Sequence, residues 1–531
     1  MKRPNILFFQ CDDLDLSDFG ALGNQVVTPH IDRIMREGIT FDRAYCPAAL
    51  CTPSRYEYLT GRYASACNGS GYLNQNPKGQ PGRIFFNTDV DGKNPTMGSV
   101  LTEAGYRTGY FGKWHNGGKI YEDLPACLTR DASLDDPEVD QALRELQAKT
   151  VAHVKAVSGY TDVGAISFDN KEQFPVFDAA YHWTEWMVEH AVDMMRDCGP
   201  EQPFFVHLAT SAPHGRVYAQ EQVRDTHYTM GGKLDHEPIG SEKRYALVER
   251  CAELGYGPED RALIMMHLDD QLGTLLAELE RLGVYEHTLV VVSCDHSLEP
   301  GKGSCYQPGI HIPMTASWPG VIAPGTRTEE FILNVDWMPT FAQAAGGQIP
   351  EDCRIDGQDL KPLFTEGRSL DRNEVFLNIG YQRGIYDGRY KLILTRFPET
   401  VLQEMETGIR DQAPNHMDRT EAGQPPVSIE CYPHYFAPDQ LYDHEFDPDE
   451  QVNLAEDPAY AEVYQQLRTK LRTYLESIPD HPVDIHIPPY MQTDHYKELA
   501  SRTRAIGTGH LDWWPSGSWV PREPCFPEPS P

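Results

Sequence analysis

Residues 4 to 13 read PNILFFQCDD. From Pro4 to Gln10 the run has strand length and is too uniformly apolar for a strand with one wet face, so it predicts a central strand in a covered parallel sheet. Cys11, Asp12 and Asp13 follow at once. The same grammar recurs three times. Tyr106 to Gly112 ends in Lys113 and His115, Pro203 to Ala209 leads to His214, and TLVVVS (288 to 293) ends in Asp295 and His296. Between these runs lie helical patterns, the clearest from Glu259 to Leu282, with Leu268, Leu272, Leu275, Leu276, Leu279 and Leu282 at three- and four-residue spacing. Alternating strands and helices imply an α/β fold with a mainly parallel sheet between helices. Ligands of such sheets sit outside the carboxyl ends of the strands, so these polar residues are expected to converge on one site.

Further along, residues 120 to 180 are polar with weak periodicity and read as an insertion over the site. Thr365 to Arg368 reads as a linker. Beyond it, Gly384 to Tyr386, Asp387-Gly388 and Arg389 to Leu394 predict a hairpin with Asp-Gly turn chemistry. Ala461 to Ile478 predicts a helix, with Val463, Leu467, Leu471 and Leu475 recurring every four residues. The expected division is a catalytic domain over 1–365, a smaller subdomain over 366–480 and an ordered tail over 481–531.

A chain of 531 residues with 40% hydrophobic and 24% charged residues can bury a large core. No apolar run reaches membrane-spanning length. A net charge of −33 argues against nucleic acid as a partner. An anionic small substrate then needs a local cluster of Lys, Arg and His. Met1-Lys2-Arg3-Pro4 enters the first strand with no secretory-type apolar core, so the expectation is a cytoplasmic chain, or a periplasmic or secreted one if a leader has been removed. The 12 cysteines form no CxxC pair, which argues against a zinc ribbon or a thioredoxin-type site.

Cys51 stands apart. Three residues separate it from Arg55, too few for a phosphatase-type cysteine loop, and Pro53 and Arg55 serve no purpose beside a simple buried thiol. The string Cys51-Thr52-Pro53-Ser54-Arg55, followed by Leu59-Thr60-Gly61-Arg62, resembles the signature of type I sulfatases. The likeness extends in order through Asp12-Asp13, Thr28 to Asp32, Gly112-Lys113-Trp114-His115, Ala212-Pro213-His214, Asp295-His296, Lys302-Gly303, Trp318-Pro319-Gly320, Asp387 to Lys391 and Leu441-Tyr442-Asp443.

That resemblance implies the alkaline-phosphatase-like α/β fold, with a smaller carboxyl-terminal α+β part containing an antiparallel sheet. It implies that Cys51 is oxidised to formylglycine by a separate maturation enzyme, and that the aldehyde is hydrated to a diol. Asp12, Asp13, Asp295 and His296, with position 51, would hold a divalent metal. Carboxylates suit calcium, whereas imidazole at 296, where many members carry Asn, leaves room for manganese or another transition metal. Lys113 and Lys302 would bind the sulfate, Arg55 would hold the ionised nucleophile, His214 would protonate the departing alcohol, and His115 would take the proton that releases sulfate. The substrate expected is a sulfated carbohydrate or polysaccharide. Two rivals are a phosphonate monoester or phosphodiester hydrolase of the same superfamily and a sulfated-glycan binding protein without turnover. His207 reads as a core histidine, His311 as a candidate border of the substrate, Asp269 and Asp270 as residues that cap or brace the site from behind, and Tyr72, Asn74 and Arg216 as candidates for substrate contact.

Overall fold

The computed structural model describes residues 3–507 apart from 23–25, 119–123, 171–173, 181–182, 215–221, 223, 258–259, 299–300, 408–430 and 479. Its strands are β1 (Asn5–Cys11), β2 (Ile39–Tyr45), β3 (Arg107–Lys113), β4 (Asp162–Ser167), β5 (Phe204–Ala209), the short pair β6 (Tyr228–Thr229) and β7 (Gly232–Lys233), β8 (Thr288–Cys294), β9 (Met314–Ser317) and β10 (Thr326–Leu333). Eight of them form one sheet in the order β10-β2-β9-β8-β1-β5-β3-β4. The fully buried β1 is parallel to both neighbours, and only β9 runs against the rest. Cys11 is in register with Cys294, so the residues that follow β1 and β8 emerge side by side.

Helices cover both faces, as the continuous apolar strands require. On one face the Phe8 ring lies 5.2 Å from Tyr58 of α2 (Cys51–Thr60) and 5.9 Å from Phe341 of the helix Trp337–Ala345. On the other, the helix Trp183–Cys198 lies against β3 where Gly109 and Gly112 leave room: a Cβ at either position would collide with Met194 or Met187 sulfur. Here glycine permits close approach of a helix.

The stretch 120 to 180 is not simply an insertion. It contains the helix Pro137–Ser158, which buries Val139, Ala142, Leu143, Leu146, Thr150 and Val154, and then β4, the edge strand of the main sheet. Its apolar stripe is spaced for a helix but diluted by charged residues, which hid it. Among its described residues, Asp169 and Asn170 after β4 reach the site.

A second sheet is antiparallel, in the order β11 (Val375–Ile379), β12 (Gln382–Tyr386), β13 (Tyr390–Thr395) and β14 (Asp439–Asp443). The β12–β13 turn is the expected one. Asp387 Oδ1 accepts from the backbone N–H groups of Arg389 and Tyr390, and Gly388 takes φ 97°, a conformation glycine alone adopts freely. The helix Ala461–Glu476 buries Leu467, Leu471 and Leu475 and packs on β12 and β13; each such leucine contributes about 1.5–3 kcal/mol by leaving water. The second sheet is stitched to the first region by Asn378 N–H donating to the Pro47 carbonyl (2.8 Å) and by a bridge between Ile84 and Gly380. The tail is described through the helix Asp494–Gly507, and residues 508–531 lie outside the described residues. Among the described residues no helix is long and apolar enough to cross a membrane.

Candidate active site

The carboxyl ends of β1, β3 and β8 meet the amino end of α2. Asp13 and His115 follow their strands with φ 58° and 57°. Such left-handed turns cost a non-glycine residue about 1–3 kcal/mol and concentrate at functional sites. Cys51 is the first residue of α2, whose ten residues are all buried. Pro53 fits there because the first turn of a helix has no use for its missing N–H. The helix amino terminus adds partial positive charge beside position 51.

Around Cys51 three carboxylates face three cations. Asp12 accepts from Lys113 Nζ (2.5 Å) and Arg55 Nη2 (3.2 Å), and Asp295 accepts from Arg55 Nε (3.1 Å). Lys302 Nζ lies 2.8 and 2.9 Å from the two oxygens of Asp13. These six side chains are almost wholly buried, so each charge depends on its partners. His296 stands among them, with Nε2 3.1 Å from Cys51 Sγ and Nδ1 3.2 Å from Asp13 Oδ1. The local cationic cluster that an anionic substrate requires is therefore present in an otherwise acidic protein.

The electrostatics follow from this packing. Burial pushes the Cys51 thiol far up, against the pull of Lys113, so the sulfur is not a thiolate at neutral pH. Burial and the neighbouring Lys113 and Arg55 charges hold His115 well below the ordinary histidine range, which keeps it neutral. Burial alone would raise Asp12, but Lys113 and Arg55 hold it well below the usual carboxylate range.

His214 joins the group, its Nε2 3.5 Å from Asp13 Oδ2. Sequence reading missed two partners. Asp169 Oδ1 lies 3.2 Å from His115 Nε2, and Asn170 accepts from Lys113 Nζ while its Nδ2 lies 3.4 Å from His214 Nε2. Both follow β4, so the rule that polar residues after an apolar strand build the site would have found them had β4 been recognised.

Other candidates lie elsewhere. His207 is a core histidine, bonded to Tyr160 OH (3.0 Å) and Gln10 Oε1 (2.9 Å). His311 stacks on Tyr45 and bonds to the Asp42 carbonyl oxygen (3.0 Å), away from Cys51. Asp269 does not brace the site: it accepts from His30 and Ile31 N–H and caps α1 (Pro29–Glu37). Tyr72 is fully buried and Asn74 exposed, while Arg216 lies outside the described residues.

A model of the sulfatase family matches residues 4–347, which carry the whole of this cluster. The chain belongs to the sulfatase family. A model of the carboxyl-terminal part of N-sulphoglucosamine sulphohydrolase matches residues 301–400. Among relatives, human arylsulfatase A is 29% identical, with 88% of this chain and 87% of that one covered. The ulvan-active sulfatase of Formosa agariphila is 26% identical, covering 90% and 81%. Two solved structures share the fold: one in complex with its substrate D-glucosamine-2-N,6-O-disulfate (TM-score 0.58, 19% identity, 90% and 99% covered) and a sulfatase from Pseudoalteromonas sp. (TM-score 0.57, 19% identity, 91% and 92% covered). The protein is thus a sulfuric ester hydrolase, and the phosphonate and binding-protein readings are not favoured.

The donor set of the sulfatase fits a metal ion. Asp12, Cys51, Asp295 and His296 offer ligand atoms that all lie within 4.8 Å of one another. Asp13, also expected to bind metal, stands beside this group of four with its carboxylate on Lys302. Two carboxylates and an imidazole, with a third carboxylate alongside, suit a divalent cation better than a monovalent one.

Proposed function

We propose that this sulfatase removes sulfate from a carbohydrate, using formylglycine made from Cys51 by a separate maturation enzyme, and a divalent metal held by Asp12, Asp13, Asp295 and His296. The observation that carries the reading is Cys51 itself. It lies in a C-x-P-S-R string at a helix amino terminus, ringed by Lys113, Lys302 and Arg55, yet burial keeps its thiol protonated and unfit as a nucleophile. The carbohydrate assignment is supported by the ulvan-active relative, by the N-acetylgalactosamine-6-sulfatase of Rattus norvegicus, which is 26% identical with 73% and 71% covered, and by the structural neighbour bound to a sulfated glucosamine. The hard carboxylates favour calcium, and His296 makes manganese the main competitor.

An aldehyde at position 51, hydrated to a diol, would supply one hydroxyl to attack sulfur and a second to expel sulfate, and a divalent cation held by Asp12, Asp295 and His296 would ease ionisation of the first. The rest falls to the side chains. Lys113 and Lys302 neutralise the non-bridging oxygens of the ester, and Arg55 holds Asp12 and Asp295 together through one guanidinium. His214 donates its proton to the departing alcohol, a contribution of about 10²–10⁴ in rate. His115, held neutral, accepts the proton whose loss releases sulfate.

The test is a mass spectrum of the tryptic peptide Ala44 to Arg55 from protein made in its native host, followed by assay on sulfated monosaccharides, an aryl sulfate and an aryl phosphonate monoester. An aldehyde at Cys51 with Cys46 intact, and sulfate release from a sugar, are expected. An unmodified thiol in active protein, or a dominant phosphonate rate, would reject the proposal.

A further inference from the structure

His115 has two ring nitrogens in unlike surroundings. Nε2 lies 3.2 Å from Asp169 Oδ1, whereas Nδ1 is buried and has no hydrogen-bond partner among the described residues. The ring is pinned in other ways too. Its backbone sits at φ 57°, the backbone N–H of His115 donates to the Phe168 carbonyl (3.0 Å), and its face stacks on Phe86 at 5.3 Å between centroids and 27° between planes. Asp169 is itself anchored, because Ser167 Oγ donates to its backbone carbonyl oxygen and the Trp114 backbone N–H donates to the Ser167 carbonyl (2.8 Å). A ring held so firmly, with a carboxylate on one nitrogen and a buried lone-pair position on the other, has the arrangement of an oriented base: the carboxylate selects the tautomer and the opposite nitrogen takes the proton.

We propose that Asp169 is a positioning residue that holds His115 as the Nε2–H tautomer, making Nδ1 the atom that accepts the proton when sulfate is released. The proposal rests on the function proposed above. In that step Nδ1 takes the proton of a hydroxyl at position 51, the O–H electron pair closes the carbonyl, and sulfate departs with the electron pair of its bond to carbon. Asp169 exchanges no proton. It fixes where the proton of the neutral ring resides and stabilises the imidazolium that forms.

Two measurements test this, and they separate its failure from that of the functional reading. The first needs no maturation and no substrate: ¹⁵N-histidine NMR of the purified protein, with the His115 signals assigned by loss in His115→Gln. A protonated Nε2 and an unprotonated Nδ1 are expected in the parent, and loss of that preference in Asp169→Asn. A protonated Nδ1 in the parent, or the same tautomer in Asp169→Asn, would overturn the proposal. The second uses matured enzyme in a rapid-quench assay on an aryl sulfate. In Asp169→Asn the first equivalent of phenol should appear at near the parent rate while sulfate release slows about 10²-fold or more, and Asp169→Glu should recover part of it. Equal slowing of phenol and sulfate would mark Asp169 as a purely structural residue and overturn the proposal. The expected tautomers in a protein that cleaves no sulfate ester would instead sink the functional reading and leave the Asp169–His115 pairing standing.

Discussion

His296 Nε2 lies 3.1 Å from Cys51 Sγ, while Nδ1 of the same ring lies 2.9 Å from the Ser297 carbonyl oxygen and 3.2 Å from Asp13 Oδ1. Two acceptors on Nδ1 fix the proton there and leave the Nε2 lone pair directed at the cluster, which is how metal-binding histidines are commonly oriented. An imidazole there adds a nitrogen donor to a set of carboxylates. His296→Asn should therefore lower manganese affinity relative to calcium by about 10-fold or more, read by competitive calorimetry on the purified protein. An unchanged ratio of the two affinities would show that His296 does not reach the ion.

Glu57, one turn beyond Ser54 in α2, ties the nucleophile helix to the rest of the molecule. Its Oε1 accepts from Ala64 N–H (3.1 Å) and Asn378 Nδ2 (3.2 Å), and its Oε2 from Ala48 N–H (3.3 Å) and Asn334 Nδ2 (3.0 Å). Burial nevertheless pushes its carboxyl up to about 8 from the usual 4.5. A raised acid holds a proton in the folded state that the unfolded chain has lost, so its contribution is full below about 4.5 and disappears as pH rises through about 8. Glu57→Gln should flatten that loss in denaturant unfolding between pH 5 and 8. It should also cost about 1–3 kcal/mol at pH 5, because its amide nitrogen must face two N–H donors. A parent protein equally stable at both pH values would contradict this.

A second buried acid, Glu450, ties β13 of the second sheet to the segment that carries Lys302. Its Oε1 is 2.6 Å from Lys391 Nζ, with both side chains fully buried, and its Oε2 accepts from Gln307 N–H (2.7 Å) at the end of the segment that carries Lys302. Glu450→Ala strands the Lys391 charge, and removing one partner of such a pair costs about 3–5 kcal/mol. Urea unfolding should show this, and KM for a sulfate ester should rise as the Lys302 segment loses its anchor. Parental stability would mean that Lys391 finds another partner.

The sheet and most of the site could be read from four apolar runs, because a buried parallel strand needs unbroken apolar residues and the residue after it is free to be polar. Asp12 and Asp13 after β1, and Asp295 and His296 after β8, obey that rule and meet through the parallel register of Cys11 with Cys294. The rule failed at β4. An edge strand is covered less completely, Asp162 and Val163 are half-exposed, and the weaker pattern was taken for an insertion. Asp169 and Asn170 were lost with it. The roles of Glu57 and Glu450 could not be read at all, since a carboxylate that binds backbone N–H groups distant in sequence leaves no periodic mark.

Lys302 couples stability to substrate binding through Asp13. Burial would raise the Asp13 carboxyl, but Lys302 first, and then His214 and His296, draw it down to about 2 from the usual 3.8. A depressed acid stabilises the fold above its unfolded value and loses that contribution as pH falls through its folded value, so the window here runs from about 3.8 down to about 2. In Lys302→Met the strongest pull is gone, and acid unfolding should begin at higher pH. The same change removes one of the three cations that balance Asp12, Asp13 and Asp295, so the site should hold an anion less well. A charge-assisted hydrogen bond of this kind is worth about 1.5–3 kcal/mol, so KM for a sulfate ester and the inhibition constant of inorganic sulfate should both rise about 10- to 100-fold. Lys302→Arg keeps the charge and should lose much less. If inorganic sulfate inhibited Lys302→Met as strongly as the parent, Lys302 would serve Asp13 alone and the substrate would be held by Lys113 and the metal.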